Sequence, residues 1–403
     1  MKKLHFILAL VVAVFGIQYS AQAEEKYVAG GFEASGNVVS GFGWQHQMTN
    51  AHPAAAISAN GDAGSTYGVL GKYNGAGAAG AVPGGKNDRF TFFVDSVELD
   101  LMKSFGENIR FRADLDFTRP VSGSGTGSAA APQAAGQGVL GLEQAYGTFN
   151  IPAGNGIEVA IGRMDAPHGF EARDVVDNHL LSNTQLLRAG LRPVSITGGK
   201  LYYAFTDAVD FHFYISNSLV ADTQKAVVDI PSGGFRLGYN WGEEGHESTF
   251  GFSAFGGPEN GQKKLSRWTY AGDVDWNWWI TESFAFGGEG LFRRDSKTGA
   301  AAIPHQEVFA GLLNLHYMFN DVWDGTFSGA YTEQRDIAGG GVPVLTGFEG
   351  TSAELSLGGG YAVADGARVV LEGRFDWVKN KTAGAGNAKS YDIGGALALA
   401  YDF

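Results

Sequence analysis

Residues 389–403 read K-S-Y-D-I-G-G-A-L-A-L-A-Y-D-F and constrain the fold more than any other stretch of the chain. Tyr391, Ile393, Gly395, Leu397, Leu399, Tyr401 and Phe403 alternate with Ser390, Asp392, Gly394, Ala396, Ala398, Ala400 and Asp402. Period two puts the first set on one side of an extended strand and the second on the other. Aromatic residues stand at both ends of the oily row. A strand in a soluble core has no need of that arrangement. One crossing a bilayer does, because amphipathic rings settle at the two water–lipid interfaces. The stretch also closes the chain on Phe403. In outer-membrane barrels the closing strand pairs with the first, and a terminal phenylalanine resembles the signal read by the bacterial barrel assembly machinery. The expectation is an all-β fold, a transmembrane antiparallel up-and-down barrel.

The other end of the chain agrees. Lys2 and Lys3, an apolar run from Leu4 to Ile17, and Ala21-Gln22-Ala23 before Glu24 have the three-part layout of a cleavable secretory signal. Residues 1–23 are therefore expected to be removed and residues 24–403 to form one barrel domain. Losing Lys2 and Lys3 takes the formal charge from −13 to −15. The apolar run is too short to cross a membrane as a helix, and no other stretch approaches the roughly 20 apolar residues required. The absence of cysteine excludes disulfides, thiol chemistry and Cys-ligated metals. A mean hydropathy of −0.08 is what alternating strands average to.

Alternation recurs along the chain. Ile109, Phe111, Ala113, Leu115 and Phe117 form one face, while Arg110, Arg112, Asp114, Asp116 and Thr118 form the other. Val97, Leu99 and Leu101 point outward on the preceding strand and Glu98 and Asp100 inward. Asp95 falls out of phase, which predicts a bulge. Trp268, Tyr270, Val274, Trp276 and Trp278 alternate with Thr269, Asp273, Asp275 and Asn277. From Trp268 to Trp278, about 3.3 Å per residue at roughly 45° tilt gives about 23 Å of depth. That matches the apolar band of about 25 Å between aromatic girdles, and Tyr391 and Tyr401 repeat the spacing. Sixteen strands are expected, the first beginning at residue 26, with 14–18 compatible with the pattern. Long connections follow odd strands and short turns follow even ones. This places the long loops outside and both termini on the periplasmic side.

A barrel of this size leaves an aqueous interior. The inferred lumenal face is polar, with Glu98, Asp100, Arg110, Arg112, Asp114, Asp116, Asp273, Asp275, Glu372, Arg374 and Asp376. Each of these charges could line a wet pore or sit in a salt-bridge network. The third long connection, at about residues 165–193, is expected to fold inward as a constriction, with Arg163 at its start and Asp165 and Arg173 within it. Glu171, Asp174 and Asp177 would then face wall arginines such as Arg110 and Arg112 and set up a transverse field.

The order of long and short connections is similar to that of the general bacterial porins. Gly162-Arg163-Met164-Asp165-Ala166-Pro167-His168-Gly169-Phe170-Glu171 resembles the G-[KR]-x-x-x-P-x-G-x-E stretch of OmpL-like β-barrel porins. The chain departs from trimeric enterobacterial porins in lacking their acidic P-[DE]-x-G-G loop tip. The likeness implies an outer-membrane location among lipid, passive diffusion of small hydrophilic solutes, a homotrimer, and no cofactor.

Other classes have less support. The glycine-rich run at residues 80–87 lacks the Ser or Thr and the helix of a phosphate-binding loop. No G-x-S-x-G or H-E-x-x-H occurs, and histidine pairs such as His168 with His179, or His305 with His316, are too far apart for local metal ligation. The negative charge argues against nucleic acid. A mild cation preference is the expectation for a diffusion channel. A substrate-specific channel, with Tyr202 and Tyr214 lining a sugar track, and a barrel that only anchors a surface protein are the alternatives.

Overall fold

The computed structural model describes residues 27–29, 31–47, 88–117, 141–188, 190–217, 219, 230–258, 268–296, 306–336, 350–380 and 389–403. The expected signal segment and most of the first two long connections lie outside these residues.

Sixteen strands form the wall. They are β1 (Phe32–Gln47), β2 (Asp88–Phe105), β3 (Ile109–Asp116), β4 (Gly141–Ile151), β5 (Ile157–Asp165), β6 (Ser195–Ala204), β7 (Val209–Ser216) and β8 (Ser232–Trp241), followed by β9 (Ser248–Pro258), β10 (Trp268–Thr281), β11 (Phe284–Asp295), β12 (Gln306–Met318), β13 (Trp323–Asp336), β14 (Gly350–Ala364), β15 (Ala367–Asn380) and β16 (Lys389–Asp402). Each pairs antiparallel with its sequence neighbours. The closing strand returns to the first, from Asp392↔Gln47 to Asp402↔Asn37. Every ladder is thereby satisfied without a free edge, the condition for strands in lipid. Phe403 extends the seam, exchanging both backbone hydrogen bonds with Gly36 at 2.8 and 2.9 Å.

The continuous first strand expected from residue 26 is instead two pieces. Tyr27–Ala29 is a short strand folded back on β1, Tyr27 opposite Ala34. Gly31, at φ 76°, supplies the backbone conformation this reversal needs.

Alternation sorts the side chains as the sequence pattern demands. Phe92, Ile161, Leu313, Leu357 and Leu371 are exposed on the outside, where lipid would cover them. Asp95 marks a bulge: the register passes from Val39↔Ser96 to Ser40↔Val94, so Asp95 is inserted and both it and Ser96 are buried. A second bulge inserts Glu143 between the pairs Asp114↔Gln144 and Leu115↔Leu142. Glu143 and Gln144 are accordingly both buried.

The lumenal face departs from its expected uniform polarity. Ala160, Met164, Ile196, Tyr214, Phe255, Leu291 and Val308 form a buried cluster with Leu186 and Leu191 of the β5–β6 connection. Val39, Val370 and the alternate alanines Ala396, Ala398 and Ala400 form a second cluster with Val175 and Leu181 of the same connection. These inward apolar positions need cover from water, and the connection supplies it. Each fully buried leucine contributes about 2 kcal/mol toward holding it there.

Candidate functional site: the segment across the lumen

The connection between β5 and β6 contains a 3-10 turn, Val175–Asp177, and one helical turn, α1 (Gln185–Arg188). It is tied to strands on the far side of the barrel. Alternation aims Glu289 and Arg293 of β11, Glu354 of β14, and Glu372 and Arg374 of β15 at the interior, and all five are buried. Glu289 accepts from the Phe170 backbone N–H and from Arg192 Nε, each at 2.8 Å. Glu372 accepts from the backbone N–H groups of Leu181 and Ser182 at 2.7 and 2.9 Å, and from the Ser182 hydroxyl. Glu354 accepts from Gln185 N at 2.7 Å. Arg293 donates to the Leu191 carbonyl at 3.1 Å, and Arg374 to that of Asn183 at 2.9 Å. A segment with little regular structure leaves its peptide groups unsatisfied, and here the wall supplies charged partners for them.

The near side is tied as well. Arg173 pairs with Glu143 at 2.7 Å and lies 3.6 Å from Asp165, both groups of the Arg173–Glu143 pair being buried. His168 Nε2 is 2.8 Å from the Tyr214 hydroxyl, and its ring stacks on Phe255. Burial, with Arg192 nearby, holds the His168 pKa well below the ordinary value, so its imidazole is neutral. Burial also opposes the charge of Arg192, but Glu289, Asp273 and Glu171 more than offset it and keep the guanidinium charged. Glu171 is pushed up to about 7 by burial, against the lowering effect of hydrogen bonds from the Thr184 hydroxyl and backbone. His179 stacks on His316 of β12, ring centres 3.7 Å apart, and is lowered to about 3 by burial and then by that neighbour. No local histidine spacing reveals this contact, because barrel closure brings the two together.

The sequence-predicted site residues divide into groups. Glu98, Asp100, Arg112, Asp114 and Asp116 lie on β2 and β3. Arg112 Nε donates to Asp114 at 2.8 Å and its Nη2 is 3.6 Å from Asp100. Asn37 donates to Glu98 at 2.9 Å. Asp116 is buried, whereas Arg110 is exposed beside the short turns. Arg163 is buried and its Nε donates to the Glu143 carbonyl at 2.7 Å.

Glu171 does not make the expected pairing with a wall arginine. Glu171 is held within the loop by Thr184, and Asp174 lies with Glu98 and Glu143, their carboxylate oxygens within 4.8 Å. The strong contacts run the other way, from loop arginines 173 and 192 to wall acids 143 and 289. Arg112 is already taken up by Asp114 and Asp100 on the wall, while the buried wall carboxylates draw the multi-donor guanidinium groups of the loop. Tyr214 lies fully under the loop and so cannot line a track, while Tyr202 packs on His212.

Glu98, Glu143 and Asp174, and also Glu98, Asp100 and Asp114, are spaced closely enough to hold a cation. Asn37, Arg173 and Arg112 already engage members of both groups. On the outside, Trp268 stacks with Tyr270 at one end of β10 and Trp278 is exposed toward the other. Trp276 is half-buried against Phe286. At the seam Tyr401 stacks on Phe403, and Tyr391 packs near Phe375.

A family model described as "Putative beta-barrel porin-2, OmpL-like" matches residues 74–403. A search of curated protein sequences returns no match. Among solved structures the chain is similar to the outer membrane channel DcaP of Acinetobacter baumannii, with a TM-score of 0.57 and 10% identity over 96% of this chain and 99% of that one. It is similar to an anion-selective porin from Comamonas acidovorans, with a TM-score of 0.57 and 12% identity over 92% and 99%. The trimer form of OmpT from Vibrio cholerae aligns with a TM-score of 0.51 and 10% identity over 92% and 99%.

Proposed function

Because the chain belongs to the OmpL-like β-barrel porins and is an outer-membrane channel, we propose that it passes small hydrophilic solutes and ions by passive diffusion, with a mild preference for cations. The observation that carries this reading is the asymmetry of the lumen. The crossing segment is latched onto β11, β14 and β15, while part of the charge on β2 and β3 keeps contact with water: Arg110 is exposed, Asp100 is half-buried and the Arg112 side chain is 32% exposed. On that side the partly exposed Asp100, Asp165 and Asp174 outnumber Arg110 and Arg112, and a surplus of water-facing carboxylates raises the local cation concentration. The fold alone does not set ion choice, since a similar barrel is an anion-selective porin.

In this reading residues 1–23 export the chain, the short turns and both termini face the periplasm, and Phe403 is presented to the assembly machinery. The trimer form of a similar barrel supports a homotrimer. Purified protein in planar bilayers should give ohmic current steps, and a KCl gradient should give a reversal potential of cation-selective sign. Bilayers that stay silent at high protein concentration would sink the diffusion reading, and a reversal potential of anion-selective sign would sink the charge assignment.

A further inference from the structure

Beneath the crossing segment, on the side away from β2 and β3, lies a cavity of about 270 Å³. One row of the sheet faces it: Thr249 opposite Asn277, Asn277 opposite Gly287, Gly287 opposite Asn314, and Asn314 opposite Ser328. The row is neutral throughout, and among the described residues no hydrogen bond engages the side chains of Thr249, Asn277, Asn314 or Ser328. Phe170 lies directly over Gly287, so close that a Cβ at that position would fall 2.2 Å from the ring. Glycine here is what seats the ring between the two asparagines.

The charged groups at the cavity are mostly committed elsewhere. Arg236 donates to Asp275 at 2.7 Å, and Glu171 is held by Thr184. Of the acidic residues lining the cavity, Asp177 stays exposed.

We infer that this cavity is a subsite for a neutral sugar ring. The ring's C–H face would lie on Phe170, and its adjacent hydroxyls would pair with the amides of Asn277 and Asn314. An amide offers a donor and an acceptor side by side, which suits vicinal hydroxyls, and an aromatic face suits the apolar side of a pyranose. The volume falls just below the roughly 300–1,000 Å³ of typical ligand sites, which fits one ring at a time. The inference deepens the diffusion reading and rests on it, since the solute would reach the cavity through the lumen.

The test uses the full mature protein in planar bilayers with D-glucose, maltose, the acyclic polyol mannitol and the charged analogue gluconate. Glucose and maltose should reduce the current saturably, while mannitol and gluconate should lower it only as viscosity requires. Asn314→Ala, which removes no hydrogen bond of the loop among the described residues, and Phe170→Ala should each raise the half-blocking concentration at least tenfold. Non-saturable reduction by every solute, identical in wild type and variants, overturns the subsite and leaves the channel standing. Should the bilayers be silent, calorimetric titration of glucose and maltose into detergent-solubilised protein decides: saturable heat lost in Asn314→Ala supports the subsite, and its absence overturns it.

Discussion

The two sides of the lumen use the same residue types for different ends. On β11, β14 and β15, Glu289, Arg293, Glu354, Glu372 and Arg374 are buried and spent on the backbone of the crossing segment. On β2 and β3, Asp100, Arg110 and Arg112 remain in contact with water. An inward charge in a wide barrel is therefore defined by what covers it. Covered by a loop, a carboxylate is a structural acceptor with its field neutralised at contact. Left uncovered, it acts on passing ions.

The largest effect should come from breaking the latched side. Glu372→Ala removes the acceptor of three hydrogen bonds from Leu181 and Ser182. Leaving those donors buried without a partner should weaken the latch by about 3 kcal/mol. The expected outcome is a several-fold larger and noisier single-channel conductance, with the barrel itself still resistant to heat in detergent. Unchanged conductance would mean that the loop does not obstruct the path.

An intermediate effect should come from acid. His179 titrates near 3 when latched, against about 6.5 when released. The latched state therefore binds fewer protons, its advantage is full above about pH 6.5, and it is lost progressively as pH falls toward 3. At pH 5 the loss is about 2 kcal/mol. Glu171, raised to about 7, acts with the opposite sign: its contribution is full below about 4.5 and lost as pH rises through 7. Because the two contributions nearly offset each other, the histidine's shows once the other is removed: in Glu171→Gln, conductance noise recorded from pH 7.5 to 4.5 should rise on the acid side, and adding His179→Phe, which keeps a stacked ring on His316, should flatten that rise.

The smallest effect in energy sharpens the comparison from the open side. Arg112→Gln removes a partly exposed charge from between Asp100 and Asp114. It should shift the potassium-to-chloride permeability ratio about two-fold toward the cation, on the order of 0.5 kcal/mol. Asp174→Asn should shift it the other way. Reversal potentials in a KCl gradient measure both, and equal shifts from Glu372→Gln would erase the distinction between the two sides.

Much of the wall is legible in the sequence. Alternation at residues 109–117 and 268–278 sets inside from outside, and the misfit at Asp95 signals its bulge. The reversal at Gly31 was hidden because Val28 and Phe32 stay in phase across it. In the crossing segment, Glu171 and Asp174 could be seen as loop acids, but not that Thr184 or the β2–β4 carboxylates would be their neighbours. Leu291, Val308 and Met164 sit on the lumenal face, where a reading by period alone expects polar residues.

The sequence by itself determined the extended strands, their two faces and their closure, because a two-residue period and aromatic ends are local properties of the chain. Only the tertiary structure decided which inward charges stay wet, which hold the loop, and that Phe170 rests on Gly287 and His179 on His316. Those contacts join residues more than a hundred positions apart, on strands whose proximity exists only once the ring is closed and the loop has crossed it.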